Sequence, residues 1–95
     1  MPYEFHVIRT DKGRTFYGIF STIVMDYHVV APDLDTLAEK YAELKNISVE
    51  DARKIIEELS RRVDAEVEAE EVDDSTLRVK IPAYVVDPTH LLRYV

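Results

Sequence analysis

Apolar and polar residues alternate along Tyr3-Glu4-Phe5-His6-Val7, the period of a strand whose side chains point to opposite faces. Asp11-Lys12-Gly13 follows as a three-residue loop, a type I turn closed by a left-handed glycine, and predicts a β-hairpin. That loop fixes a register in which Ile8 opposes Phe16, Val7 opposes Tyr17, His6 opposes Gly18 and Phe5 opposes Ile19. One face then carries Tyr3, Phe5, Val7, Tyr17 and Ile19, and the other carries His6, Ile8, Phe16 and Phe20. Both faces are apolar, more than a hairpin with one wet side needs, so something must cover each.

From Thr22 to Ala31 the period is ambiguous. Phe16, Ile19, Phe20, Ile23, Val24 and Tyr27 fit helical spacing, but β-branched and aromatic enrichment favours a second strand and then a third near Tyr27 to Ala31. Ala31-Pro32-Asp33 ends that strand. Asp33 or Asp35 caps a helix to about Lys45 with Leu34, Leu37, Tyr41 and Leu44 on one stripe, and Asn46 ends it in a left-handed conformation. Ser48-Val49-Glu50-Asp51 resembles a capping box, opening a second helix to about Arg62 with Ala52, Ile55, Ile56, Leu59 and Val63 apolar. Ala65 to Val72 and Thr76 to Val86 form a final hairpin around Asp73-Asp74-Ser75, with Glu70 against Arg78 and Glu68 against Lys80. The tail, Leu91-Leu92-Arg93-Tyr94-Val95, is apolar and should dock on its own sheet or on a neighbour. The expected fold is α+β: one domain over residues 1–95 with an antiparallel sheet in the order β-β-(β)-α-α-β-β and the helix pair on one face.

Composition narrows the chemistry. The 95 residues carry 12 basic and 19 acidic groups, a formal charge of -7. Residues 1–31 are neutral overall, and the acidity concentrates beyond residue 62, in Asp64, Glu66, Glu68, Glu70, Glu71, Asp73, Asp74 and Asp87. Such a field repels phosphate backbones and anionic lipid. The absence of cysteine excludes disulfides, thiolate nucleophiles and thiolate metal sites. Two glycines, Gly13 and Gly18, cannot build a phosphate-wrapping loop. No signal-like or membrane-spanning run is read, so the expected location is the cytoplasm. Glutamine is absent and Glu, Lys and Arg are plentiful, which suits a thermophilic source.

Tyr41-Ala42-Glu43-Leu44-Lys45-Asn46-Ile47-Ser48-Val49-Glu50-Asp51-Ala52-Arg53-Lys54-Ile55-Ile56 resembles a helix-turn-helix, with small Ala42 at the helix approach and Asn46 in the turn. Followed by a hairpin, it has the order of a winged helix. That resemblance implies that residues 16–27 form the first helix, and that Arg53 and Lys54 reach nucleic acid from the second helix of the motif. It departs from the family at Lys45, where an apolar residue is usual. Glu50, Asp51, Glu57 and Glu58 also offset the basic residues of that helix, and Glu66, Glu68, Glu70 and Glu71 make an acidic wing. Two amphipathic helices packed on a sheet account for the same residues.

The remaining chemistry is sparse. His6, His28 and His90 belong to no paired ligand motif, so no metal or cofactor is expected. Ser48 reads as a helix cap, and the carboxylates sit in solvated runs, which makes the chain an expected non-enzyme. His6 opposite Gly18 leaves a dimple that a small ligand or a partner side chain would fill. Six tyrosines among nine aromatic residues suit interfaces, because the ring buries while the hydroxyl stays wet. The leading expectation is a small non-enzymatic interaction module with a regulatory role that forms a homodimer through Tyr3, Phe5, Tyr17, Phe20, Leu91, Leu92, Tyr94 and Val95. The other is a winged-helix DNA-binding regulator.

Overall fold

A computed structural model describes residues 3–80 and 89–94. Strands β1 (Tyr3–Thr10) and β2 (Thr15–Ser21) form the expected hairpin, with Phe5 opposite Ile19, His6 opposite Gly18 and Ile8 opposite Phe16. Gly13 closes the loop at φ 80, a conformation that costs a glycine little. Strand β3 (Asp26–Ala31) pairs antiparallel with β2 across a bulge after Ile19. Residues 16–27 are therefore strand, turn and strand. The helical alternative fails here, and with it the three-helix order of a winged helix, because Phe16 and Phe20 are buried on one face of the sheet and Ile19 on the other.

Helix α1 (Leu34–Lys45) starts at Asp33, whose carboxylate accepts the Thr36 N–H at 2.7 Å, and ends at Asn46 with φ 55 and ψ 49. Helix α2 (Val49–Ser60) starts at Ser48, whose hydroxyl accepts the Asp51 N–H at 3.1 Å. Caps and ends stand where the sequence expects them. The buried stripes are rotated: Leu37, Ala38, Tyr41 and Ala42 pack inward from α1, and Ala52, Ile56 and Leu59 from α2. Leu34, Leu44, Ile55 and Val63 stay exposed. Three alanines on the buried faces let backbones approach closely, and that geometry displaces the larger leucines to the flanks.

The helix pair is a crossover. It returns the chain beside β1 so that β4 (Ala65–Asp73) runs parallel to it, with His6 opposite Ala65 and Ile8 opposite Val67. The sheet is thus mixed, not antiparallel throughout as expected, since a crossover through helices delivers a strand in the direction of the one it joins. Asp64 pins the junction: its carboxylate accepts the Phe5 N–H at 2.8 Å and its own N–H donates to the Phe5 carbonyl at 2.9 Å.

β5 (Thr76–Lys80) pairs with β4 in the expected register, Glu70 opposite Arg78 and Ala69 opposite Val79, until a bulge shifts Asp73 onto Thr76. The part of that expected strand beyond Lys80, residues 81–86, lies outside the described residues. β6 (Thr89–Arg93) then adds antiparallel to β5, so the apolar tail docks on its own sheet. The six strands run in the order β3-β2-β1-β4-β5-β6.

Two cores result, one per face. Phe5, Val7, Ile19 and Ala31 pack under the helices. Ile8, Phe16, Phe20, Tyr27, Val67, Leu77, Val79 and Leu92 come from strands and Tyr94 from the residue after β6, which requires the sheet to curl around them. The curl brings the Phe16 and Tyr94 ring centroids to 4.7 Å. At the seam between the edge strands β3 and β6, Lys40 of α1 donates to the Val30 carbonyl at 2.9 Å and the Tyr94 carbonyl at 2.7 Å. A single ammonium bridges the seam at this level.

Candidate functional site

His6 shows how the hairpin register becomes a polar cluster. Its side chain is 0% exposed, stacked on Phe20 with ring centroids 4.8 Å apart. Nε2 lies 2.8 Å from the Glu4 carboxylate and Nδ1 lies 2.7 Å from the Tyr27 hydroxyl. An ionised carboxylate only accepts, which assigns the proton of the neutral ring to Nε2 and makes Nδ1 the acceptor of the Tyr27 hydroxyl. Burial pushes the His6 pKa below its ordinary value, against the opposing pull of Glu4 and Asp64. The arrangement holds two protons, one between Nε2 and Glu4 and one between the Tyr27 oxygen and Nδ1. With no exposed imidazole surface, it orients Tyr27 and packs the sheet interior.

The dimple expected at Gly18 is filled from within the chain. A Cβ on Gly18 would stand 2.7 Å from both Cδ1 and Cε1 of Tyr27, so the tyrosine ring already lies against the glycine backbone. Glycine is needed here for close approach, not for an external ligand.

The eight residues expected at an interface separate into three groups. Phe5 and Phe20 lie in the two cores, and Leu92 and Tyr94 are buried with the strand interior. Tyr94 also donates its hydroxyl to the Asp74 carbonyl at 2.7 Å and accepts from Arg14 at 3.1 Å, which ties the end of β6 to both hairpins. Tyr3, Tyr17 and Leu91 retain surface, and Val95 lies outside the described residues. Tyr3 is itself engaged, taking a hydrogen bond from Lys45 and an edge contact from His28 at 5.3 Å.

Arg53 and Lys54 are both exposed on α2. Arg53 Nε lies 3.8 Å from the Asp35 carboxylate, which draws it toward α1. A third basic group, Arg14, forks onto Glu71 at 2.7 and 3.2 Å, and Thr10 adds a third bond to the same carboxylate at 2.6 Å, holding Glu71 below the usual carboxylate range.

Among the described residues, the most exposed large apolar side chains belong to positions that the sequence pattern does not single out as a site. Ile23 is 75% exposed and Val24 61%, side by side in the turn between β2 and β3. The buried Ser21 hydroxyl oxygen accepts from both of their backbone N–H groups at 3.3 Å, and Met25 closes the turn at φ 58. A methionine in the left-handed region is strained. The signal in the sequence was a turn, Thr22-Ile23-Val24-Met25, containing none of the usual turn formers.

No group of three or more metal-ligating side chains converges among the described residues, and no helix among them is long and apolar enough to cross a membrane. No protein-family model, curated protein or solved structure matches the chain.

Proposed function

We propose that this chain is a non-enzymatic interaction module that self-associates, and that the Ile23-Val24 turn anchors the contact. The observation that carries the reading is the exposure of two adjacent β-branched side chains on a turn held by Ser21. Burying such a side chain contributes of the order of 1.5 to 3 kcal/mol, and a turn already ordered loses little further freedom on binding. Backbone strain such as that at Met25 concentrates at functional sites. Tyr3 stands opposite Ser21 in the β1–β2 ladder, beside the start of the turn. A two-fold contact sets such a patch against its own copy, which gives apolar surface an apolar partner without a second protein. A cytoplasmic homodimer without a cofactor completes the reading.

Light scattering over a concentration series tests it. The wild-type chain should be dimeric at micromolar concentration, and the Ile23→Thr, Val24→Thr double variant monomeric with its melting temperature little changed. A wild-type chain that stays monomeric throughout would overturn the proposal. Parallel anisotropy with labelled duplex DNA at low salt addresses the nucleic-acid reading: binding that weakens steeply with salt and disappears in an Arg53→Ala, Lys54→Ala variant would favour it instead.

A further inference from the structure

The seam between β3 and β6 lies at the foot of a cleft of about 340 Å³, lined by Val29, Leu44, Leu92, Lys40, Glu43 and Arg93. Pockets that take small molecules begin near this size and pair apolar walls with a few placed polar groups. The charges here are unusual for this molecule. Although the chain has 19 acidic residues, no described carboxylate stands within ion-pair distance of Lys40, whereas Arg93 acts on Asp73, whose carboxylate the Ser75 N–H and, to a lesser extent, Arg93 hold below the usual range. Lys40 spends two of its three N–H groups on neutral carbonyls, which solvate an ammonium without cancelling its charge. Burial accordingly pushes the Lys40 pKa down.

We propose that this cleft binds an aliphatic monocarboxylate, its carboxylate meeting Lys40 and its hydrocarbon chain lying along Val29 and Leu44. A carboxylate supplies the counter-charge that Lys40 lacks and accepts its third N–H, while Val29 and Leu44 give the chain a surface to cover. Glu43 lines the same cleft and opposes a second negative charge, which favours a monoanion over a phosphate dianion. The site is independent of the Ile23-Val24 turn, so either can fail without the other.

Sodium hexanoate is the probe, titrated into the full chain and followed by backbone amide resonances. Hexanol, with the same chain and no charge, and acetate, with the charge and no chain, are the controls. Saturable shifts confined to β3, α1 and β6 are expected with hexanoate, with at least about tenfold weaker binding by either control or by Lys40→Met. Because Lys40→Met also removes the seam bridge, a second readout uses the wild-type protein: the pH midpoint of the Lys40 side-chain carbon resonance should rise on saturation with hexanoate. Absence of saturable shifts at the cleft, equal binding of hexanol, or an unmoved Lys40 midpoint would each overturn the proposal.

Discussion

The two halves of the sheet answer to different surroundings. In β1, Phe5, His6, Val7 and Ile8 are buried in succession, because α1 packs on β2 and β3, α2 packs on β1, and the curled interior takes the other face. In β4, Val67 and Ala69 turn inward, with Ala65 partly buried and Glu71 held by Arg14 on the same side, while Glu66, Glu68 and Glu70 are exposed on the other. β5 repeats that alternation, burying Leu77 and Val79 while Thr76, Arg78 and Lys80 lie on the other side. Alternation therefore reports how many layers cover a strand more than whether a strand exists. The neutral N-terminal third and the acidic C-terminal third are the same fact in charge: only the half with a bare face has room for ions.

The largest test of this contrast is Phe20→Ala against Glu68→Ala. Phe20 is fully buried, stacked on His6 and edge-on to Tyr27 at 5.0 Å, so its truncation should cost about 3 to 5 kcal/mol in urea unfolding. Glu68 projects from the bare face, and its loss should change stability by no more than about 0.5 kcal/mol. Comparable losses at the two positions would break the comparison.

Next comes Gly18→Ala, which asks whether tight packing in the two-sided half tolerates one methyl group. The new Cβ would meet the Cδ1–Cε1 edge of the Tyr27 ring, whose hydroxyl is fixed to His6 and which makes a T-shaped contact with Phe20, so the ring cannot swing aside freely. A loss of about 1 to 3 kcal/mol is expected in the same assay. A neutral result would mean that the ring and the glycine are not in firm contact.

Much of this contrast was legible beforehand, for identifiable reasons. Asp11-Lys12-Gly13 has one good loop solution, so the first register followed from a turn of known length, and the Glu70–Arg78 pairing followed from charge and period agreeing. Asp33, Asn46 and Ser48 are local capping chemistry and stood where expected. The parallel β1–β4 pairing was not legible, because it depends on where a crossover lands and no local residue encodes that. Phe5 and Phe20 were assigned to a surface since the pattern says that a face needs cover without saying what supplies it. Lys40 was invisible as a site residue because its partners are backbone carbonyls from β3 and the chain just after β6, which any sequence could provide. Ile23 and Val24 read as one more apolar stretch until the strand ended at Ser21.

A pH titration sharpens the comparison through its buried imidazole. The folded pKa of His6 lies below the ordinary 6.5 because burial disfavours the charged ring. As pH falls below 6.5 the unfolded chain takes up a proton that folded His6 refuses, so this contribution to stability is complete above 6.5 and declines toward the folded pKa. The melting temperature should fall over that window, and the His6 ring resonances should titrate below 6.5. A His6 midpoint above 6.5 would show that Glu4 outweighs burial. Glu71, in the other half, loses its Arg14 and Thr10 partnership only as pH falls through its own depressed value, in a more acidic window.

The smallest effect belongs to the bare face. Arg78 Nη1 lies 3.7 Å from Glu70 Oε1, with both side chains more than half exposed. Holding two long side chains together costs entropy that nearly offsets the screened attraction, so the coupling in a Glu70→Ala, Arg78→Ala double-mutant cycle should fall between about 0.2 and 1 kcal/mol and shrink in high salt. Since the pair sits at the centre of the β4–β5 ladder, a larger, salt-insensitive coupling would mean that water does not reach it. That would require something to cover this face, and the β4–β6 half would then resemble the half under the helices.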